Sequence, residues 1–178
     1  MDDYKDKIVF RMFKPEDSLE WFKLKNRVWR DAYKDIFPEE VFDEKDREVE
    51  EKAKGFVNKE HNSNENIAYV AEYEGKLIGL MSGSIKSTYD HFYDDYADLI
   101  ALYIDPEYQG LGIGTKFKNI FEEWAKKNGA TKYVIGVLKD NHKARKVYES
   151  WGGKLDSYEQ GFVKLGVSYP EVFYVVNL

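Results

Sequence analysis

The segment over residues 99–115 constrains the fold more than any other part of the chain. It reads Leu-Ile-Ala-Leu-Tyr-Ile-Asp-Pro-Glu-Tyr-Gln-Gly-Leu-Gly-Ile-Gly-Thr, an apolar strand followed by a proline turn and a glycine-rich loop ahead of a helical segment. Glycines let a backbone approach a ligand closely, and the first turn of a helix offers unpaired N–H groups at the positive end of the helix dipole. The segment therefore predicts a strand–loop–helix unit that binds an anionic cofactor.

Two common phosphate-binding loops do not fit this segment. Gly110, Gly112 and Gly114 alternate, and Thr115 stands where a dinucleotide-binding fingerprint requires its third glycine. No stretch of the chain supplies the Gly-Lys-Ser/Thr ending of a P-loop. The sequence therefore argues against dinucleotide and kinase-type chemistry, and a nucleotide-binding protein is kept only as a third interpretation.

A second motif, Asn141-x-x-Ala144-x-x-x-Tyr148, follows a strand-like stretch over residues 132–137. Asn141 suits a helix N-cap, Ala144 and Tyr148 lie one helical turn apart on one face, and Gly152 or Gly153 suits the C-terminal cap. Taken singly, a capping Asn and a helical Tyr are more often structural than functional. Their order behind the glycine-rich loop favours a shared ligand site.

Together the two motifs resemble the GNAT superfamily of acetyl-CoA-dependent N-acetyltransferases. Gln109-x-x-Gly112-x-Gly114 is similar to the family's pyrophosphate-binding loop, and the second motif is similar to its strand, Asn and helix segment. The resemblance covers about residues 67–178. It implies an α+β fold with a mixed, mostly antiparallel central sheet flanked by helices, in which CoA lies between two splayed strands.

The resemblance also implies acetyl-CoA as the co-substrate. Backbone groups of Leu102 and Ile104 would pair with pantetheine amides, and the amides of residues 109–115 would hold the pyrophosphate. The full set of expected cofactor-binding residues is Leu102, Tyr103, Ile104, Gln109, Gly110, Leu111, Gly112, Ile113, Gly114, Thr115, Asn141, Ala144 and Tyr148.

The implied reaction moves the acetyl group to a primary amine by direct attack in a ternary complex. Tyr148 is expected to protonate the departing CoA thiolate. Asp98, eleven residues before Gln109, occupies the place where some family members carry a catalytic Glu, and is the leading candidate base. A strand-end carboxylate that only shapes a turn is the alternative, and Glu72 and Glu159 are rival bases.

Two groups of residues are candidates for the acceptor site. Asp94 and Asp95 stand among aromatic residues just before the cofactor strand and are suited to recognise an amine, although charge runs are usually solvated loops. Trp29 and Tyr33, one helical turn apart, resemble the substrate-side helix of small GNAT proteins. Simple aromatic core packing is the alternative for this pair.

Composition narrows the class of protein. The 178 residues suffice for one domain over residues 1–178, and the net charge of −6 argues against nucleic-acid binding. With no cysteine, disulfides and a Cys acyl-enzyme are excluded, and the three histidines lack metal-ligand spacing, so no metal is expected. We find no membrane span and no signal peptide in the charged residues 1–7, and expect a cytoplasmic protein that does not bind membranes. A homodimer is left open.

Periodicity predicts the remaining elements. Strands are expected over residues 7–13, 67–73, 76–87, 98–104, 132–137, 155–158 and 172–176, with a glycine-containing stretch over residues 160–168 between the last two. Helices are expected over residues 15–33, from Pro38 to the turn at residues 62–64, and over residues 112–127. A non-catalytic acetyl-CoA-binding sensor or interaction module with this fold is the alternative to an enzyme.

Overall fold

The computed structural model describes residues 7–178 of the chain, so most of the charged start lies outside the described residues. Its seven strands form one sheet in the order β1-β2-β3-β4-β5-β7-β6. Neighbouring strands are antiparallel except β4 and β5, which are parallel, and this confirms the mixed, mostly antiparallel sheet. The strands are β1 (Val9–Met12), β2 (Asn66–Tyr73), β3 (Lys76–Ser84), β4 (Ala97–Ile104), β5 (Lys132–Leu138), β6 (Lys154–Lys164) and β7 (Val167–Asn177).

Helices cover both faces of the sheet. They are α1 (Ser18–Tyr33), α2 (Glu39–Arg47), α3 (Val49–Val57), α4 (Ile113–Lys127) and α5 (His142–Ser150). On one face, Trp21 and Leu24 of α1 pack against Val70 and Leu80 of the sheet. On the other face, α4 contributes Phe117, Phe121 and Ala125, each fully buried, to the main core.

The single long helix predicted from Pro38 onward is wrong. The chain instead forms α2 and α3 with a break at Glu48, whose amide donates to the carbonyl of Glu44 (3.2 Å). Both helices pack against α1. Val41 of α2 and Val49 of α3, on either side of the break, are both buried, although the sequence around them is mostly charged.

The last two predicted strands are too short. Residues 160–168 belong to a long β6–β7 hairpin that turns at Leu165 and Gly166, both with positive φ (47° and 77°). Outward positions of this hairpin are exposed, as Val163 (62%) illustrates, so its sequence lacks the apolar signal of a core strand. Backbone pairing, which residue periodicity does not reveal, holds the extension together.

The sheet forks between β4 and β5. Only Ala97 with Tyr133 and Asp98 with Val134 pair across these strands, and from there β4 runs on to Ile104 and β5 to Leu138 without pairing. A β-bulge in β4 accompanies the fork, since Ser84 pairs with Asp98 but Ser82 pairs with Ala101.

The bulge changes which face the β4 side chains occupy. Leu99 before it and Leu102 after it both contact the α4 core, although strict alternation would put them on opposite faces. Ile100, within the bulge, is 47% exposed. At this one position a large apolar side chain of β4 is therefore not covered by a helix.

Candidate active site

The fork leaves one edge of β4 with backbone groups that face an open gap. The amide of Asp105 donates to the carbonyl of Ile78 on β3 (2.9 Å), so alternation along the strand turns the N–H and C=O groups of Leu102 and Ile104 toward the gap. The Gln109 side-chain amide donates to the carbonyl of Ile104 (3.2 Å). An extended molecule lying in the gap would find the backbone groups of Leu102 facing it, whereas the Ile104 carbonyl is already bonded to Gln109.

A buried carboxylate anchors the loop that follows β4. Asp105 is 2% exposed, accepts a hydrogen bond from Arg27 (2.8 Å), and caps the short 3₁₀ helix Pro106–Tyr108 by accepting from the Glu107 amide (3.2 Å). Burial raises the pKa of this carboxyl, but the hydrogen bonds from Arg27 and Glu107 outweigh burial and lower the pKa overall. The anchor fixes where the glycine-rich loop begins.

Two glycines in left-handed conformation shape the loop itself. Gly110 and Gly112 have φ of 79° and 83°, and Gly112 is the N-cap of α4. A Cβ atom at either glycine would meet nothing within 4 Å, so the space above the loop is open. The first turn of α4 has no intrahelical acceptors for its N–H groups, and the Lys116 amide is the first to donate, to the carbonyl of Gly112 (3.0 Å).

The loop meets α5 across the mouth of the gap. A Cβ at Gly114 would lie 3.3 Å from the Ile104 side chain and 3.9 Å from the Trp151 ring, so α4 begins close to both β4 and Trp151. Lys143 of α5 donates to the side-chain oxygen of Gln109 (2.5 Å). The loop amides, the helix dipole and this ammonium together favour an anion.

Asn141 caps α5 as its position in the sequence predicts. Its Oδ1 accepts from the Ala144 amide (3.2 Å), and its Nδ2 donates to the Tyr33 hydroxyl (3.3 Å). The cap therefore links α5 to α1 on the other side of the fork. No residue of α5 is fully buried, because the helix lies over the gap and not over filled core.

Tyr148 lies on the face of α5 that looks into the molecule. Its ring is half-buried against Trp151 (centroids 5.6 Å apart) and Tyr174 (6.1 Å). Its hydroxyl makes no hydrogen bond to any residue between 7 and 178. Burial, with a smaller contribution from Tyr33, raises the pKa of Tyr148, so the hydroxyl keeps its proton at neutral pH and is a donor.

Three aromatic residues form a wall below the fork. Trp29 donates from Nε1 to the Tyr103 hydroxyl (2.9 Å), and its ring contacts that of Tyr33 (4.8 Å). Trp29 and Tyr33 are each 8% exposed. We call Trp29, Tyr33 and Tyr103 the aromatic wall.

Asp98 is placed at the last paired position of the fork and is completely buried. Its Oδ2 accepts from the amide (2.9 Å) and hydroxyl (2.7 Å) of Thr88 and from the Ser87 hydroxyl (3.3 Å). Its Oδ1 has no partner in the described part of the chain. Burial raises the pKa of Asp98, the bonds from Thr88 and Ser87 lower it, and the charge of Glu171 raises it again, so the net shift is upward.

A second buried carboxylate, Glu171 of β7, was not identified from the sequence. It is 8% exposed, and its two oxygens accept from the Tyr89 hydroxyl (3.0 Å) and from the Gln160 side-chain amide (2.8 Å). A Cβ at Gly136 of β5 would lie 2.9 Å from its Oε1, so this glycine makes room for it. The signal in the sequence is an acid two residues before Phe173, on the inward face of an apolar strand.

Comparison with known proteins places these features in a family. A sequence profile of the acetyltransferase (GNAT) family matches residues 26–153, which is more than half of the chain. The chain belongs to the GNAT family. The motif residues that carry the resemblance, from Gln109 to Tyr148, all lie inside the matched range.

Two curated relatives of this GNAT protein match shorter stretches. The uncharacterized N-acetyltransferase YobR of Bacillus subtilis (strain 168) is 36% identical over 59 residues, which is 33% of this chain and 24% of that protein. The uncharacterized N-acetyltransferase MJ1207 of Methanocaldococcus jannaschii is 26% identical over 97 residues, 54% of this chain and 43% of that protein. The chain thus spans less than half the length of these relatives.

Solved GNAT structures share the fold of the whole chain. The PaiA N-acetyltransferase of Thermoplasma acidophilum in complex with coenzyme A has a TM-score of 0.68 at 20% identity, over 96% of this chain and 99% of that one. A GCN5-related N-acetyltransferase from Rhodopseudomonas palustris has a TM-score of 0.72 at 17% identity, over 96% and 95%. YncA from Salmonella typhimurium with acetyl-CoA has a TM-score of 0.62 at 18% identity, over 96% and 94%. These likenesses confirm the fold.

Other predicted site residues of this GNAT protein are exposed or paired with cations. Asp94 and Asp95 are exposed on the turn after the short 3₁₀ helix Asp90–Phe92, while Phe92 (2% exposed) points inward from the same segment. Glu72 is bonded to Arg11 (2.8 Å), and Glu159 to Lys139 (2.8 Å). Both rival bases are therefore engaged in ion pairs near the surface.

Two features are absent from residues 7–178. There, no group of three or more His, Cys, Asp and Glu side chains is arranged to hold a metal ion. None of the helices in those residues is both long and apolar enough to cross a membrane.

Proposed function

We propose that this protein transfers the acetyl group of acetyl-CoA to a primary amine. The observation that carries the proposal is the open β4–β5 fork, with a glycine-rich loop and helix N-terminus at its mouth and the unbonded Tyr148 hydroxyl over it. Family membership and the acetyl-CoA or CoA complexes of structural neighbours support it.

In this proposal the pyrophosphate binds the loop amides from Gln109 to Thr115, with Gly110, Leu111, Gly112, Ile113 and Gly114 between them. The pantetheine extends along β4, where its amides pair with the gap-facing groups of Leu102 and Ile104 beside Tyr103. Asn141 and Ala144 border the same gap from α5. The small Ala144 and Gly114 support this arrangement, because larger side chains would narrow the gap.

The amine must lose a proton before it attacks. An alkylamine with a pKa near 10.4 is neutral in only about one molecule in a few thousand at pH 7. Glu171 and Asp98 are the two candidate bases: Glu171 retains some exposure and its oxygens have only neutral donors, while Asp98 lies behind Ser87 and Thr88 and would accept the proton through another group.

In direct attack the acetyl group passes from acetyl-CoA to the amine without an acyl-enzyme intermediate. The neutral nitrogen forms the new C–N bond at the thioester carbonyl, the C–S bond breaks, and Tyr148 gives its proton to the sulfur of CoA. The raised pKa of Tyr148 means that the hydroxyl is protonated when the thiolate leaves. The attacking nitrogen carries a surplus proton once the C–N bond has formed, and it loses this proton to the tyrosinate or to solvent, so the amide is neutral and Tyr148 is protonated again.

The deciding experiment measures release of the CoA thiol from acetyl-CoA against a panel of acceptors. The panel contains polyamines, aminoglycosides, amino acids and N-terminal peptides, with reactions lacking amine as controls. The chain has no cysteine, so the protein itself adds no thiol signal.

Thiol release with at least one acceptor class, together with mass-spectrometric detection of the N-acetyl product, is the expected result. Tight acetyl-CoA binding without release for any acceptor would instead favour the non-catalytic sensor. Failure to bind acetyl-CoA would overturn both interpretations.

A further inference from the structure

Four lysine side chains from four elements gather behind the aromatic wall. They are Lys25 of α1, Lys45 of α2, Lys52 of α3 and Lys164 of β6, and we call them the lysine cluster. The positive charges of Lys25, Lys52 and Lys164 each contribute to lowering the pKa of Lys45, so all three act electrostatically on its ammonium. A gathering of like charges destabilises a protein unless an anion joins it.

Lys45 makes the cluster unusual. Its side chain is buried, at 8% exposure, and its Nζ lies 3.8 Å from the centroid of the Trp29 ring. Within residues 7–178 this ammonium makes no hydrogen bond and no ion pair, and the acid that attracts it, Glu48, is itself paired with Lys52. Burial is the main reason that the pKa of Lys45 falls to about 7.

The absence of an acidic partner is unexpected in this protein. The chain carries 33 acidic residues against 27 Lys and Arg, and the half-buried Arg11, for example, is paired with Asp17 and Glu72. A cation–π contact with Trp29 offsets only part of the cost of burying an ammonium. The site therefore has the charge and the donors for an anion that the chain itself does not supply.

The aromatic wall connects this cluster to the fork. Trp29 contacts Lys45 on one side and the Tyr33 ring on the other, and the Tyr33 hydroxyl is bonded to Asn141 at the start of α5. Lys25 lies 6.0 Å from the ring centroid of Tyr103, the third member of the wall. The Nζ of Lys164 lies 5.6 Å from the ring centroid of Phe162, and that ring centroid is 6.0 Å from the centroid of Trp29.

We propose that the acceptor amine carries an anionic group, a carboxylate or a phosphate, which binds the lysine cluster while its amino group lies at the fork. This inference rests on the proposed acetyl transfer and names its substrate class. A molecule along the aromatic wall would meet the buried carboxylates Glu171 and Asp98 at one end and ammonium groups at the other. Polyamines and aminoglycosides, which are cationic throughout, would be repelled by the cluster.

The test compares acceptors that differ only in the distal group. We would use ω-amino carboxylates of two to six carbons, the matching ω-amino amides, and ω-aminoalkyl phosphonates of the same lengths. For at least one length, wild-type kcat/KM for an anionic acceptor should exceed that for its amide by about tenfold or more, since one ion pair on a desolvated lysine is worth at least about that factor. The carboxylate and phosphonate series decide which anion is bound.

Substitutions localise the effect to Lys45. Lys45→Met should raise KM about tenfold or more for the anionic acceptor while leaving kcat/KM for the amide within about twofold. Lys45→Arg, which keeps the positive charge, should restore much of the preference. Lys126→Met, an exposed lysine at the end of α4, is the matched control and should change neither acceptor. Thermal unfolding shows whether each variant is folded.

A binding measurement separates failure of this proposal from failure of the proposed function. The protein with CoA is titrated calorimetrically with the same aminocarboxylates and amides, so that no turnover is needed. Binding of an anionic probe that Lys45→Met weakens and Lys126→Met preserves supports the anion site even if no acceptor releases thiol. Equal kcat/KM for anionic and neutral acceptors, or no tighter binding of the anionic probes than of the amides, would overturn it.

Discussion

At the scale of single residues, Tyr148 owes its proposed role to its surroundings. The ring packs against Trp151 and Tyr174, while the hydroxyl itself has no partner in the described residues. A donor that no protein group engages is available to an acceptor on a ligand in the gap. The departing sulfur of CoA is such an acceptor under the proposed mechanism.

Tyr148→Phe should lower kcat by about 10²-fold or more, the usual scale for loss of a general acid. The affinity for acetyl-CoA should stay nearly unchanged, because the phenyl ring preserves the packing against Trp151. Steady-state thiol release and calorimetric titration with acetyl-CoA measure the two quantities. A variant with wild-type kcat would remove Tyr148 from the mechanism.

The two candidate bases, Glu171 and Asp98, predict opposite effects of substituting these two carboxylates. If Glu171 is the base, Glu171→Gln should reduce kcat/KM by about 10²-fold, whereas Asp98→Asn should have a much smaller effect. The pKa of Asp98 is raised, so activity that needs its charged form would fall as the pH drops below a midpoint above its ordinary 3.8.

The pH profile of kcat/KM in the two variants decides between these carboxylates. An acidic limb that disappears in Asp98→Asn and persists in Glu171→Gln would identify Asp98 as the base. The reverse pattern is expected if Glu171 takes the proton. Circular dichroism of both variants serves as the folding control, because each substitution alters a buried carboxylate. Asp98 accepts three hydrogen bonds and Glu171 accepts two.

At the scale of elements, the start of α4 decides where an anion binds. Asp105 fixes the loop, Gly112 enters the left-handed region, and α4 begins with its N–H groups free at an open surface. The positive φ, and not lack of space in the unliganded protein, explains why Gly112 is a glycine. A side chain there would project into the space that the proposed pyrophosphate fills.

Gly112→Leu should weaken acetyl-CoA binding by at least about tenfold, since the side chain competes with the phosphates while the left-handed conformation adds about 1–2 kcal/mol of strain. Gly75→Leu is the matched control. Gly75 has φ of 81° in the β2–β3 turn and equally open surroundings, so it should lose similar stability without losing affinity. Equal affinities in the two variants would contradict the phosphate site.

At the scale of the whole molecule, the fork divides the sheet into a β1–β4 part and a β5–β7 part. Two residue pairs are all that join the strands on either side of it. A cofactor lying in the gap would bond to β4 and contact α5, so it would connect the two parts. The unfolded chain has no such gap, and ligand binding therefore adds to the free energy of unfolding.

Acetyl-CoA at about 100 times its Kd should stabilise the fold by about 2.7 kcal/mol and raise Tm by about 5–10 °C for a chain of this size. Differential scanning fluorimetry measures the shift, with ATP and NAD at the same concentration as controls. These nucleotides should shift Tm far less, because they cannot supply the pantetheine that lies along β4. A shift of equal size with NAD would favour the nucleotide-binding interpretation instead.

Local features were predictable because they depend on neighbours in the chain. The spacing of apolar residues predicted β2–β5, α1 and α4 to within a few residues, and the cap at Asn141 follows from its side chain alone. Glu48 shows the limit: no glycine or proline marks the break between α2 and α3. The hairpin over residues 160–168 was missed because its positions alternate only between exposed and half-buried, and none is fully buried.

The sequence by itself determined the strand–loop–helix unit, the glycines at positive φ and, through its motifs, membership of the GNAT family. Only the tertiary structure decided the β4–β5 fork, the pairing of Glu171 with Tyr89, and the burial of Lys45 against Trp29. The physical reason is range: turns and caps depend on groups a few residues apart, whereas the environment of a charge depends on every element packed around it. Elements distant in sequence supply that environment here.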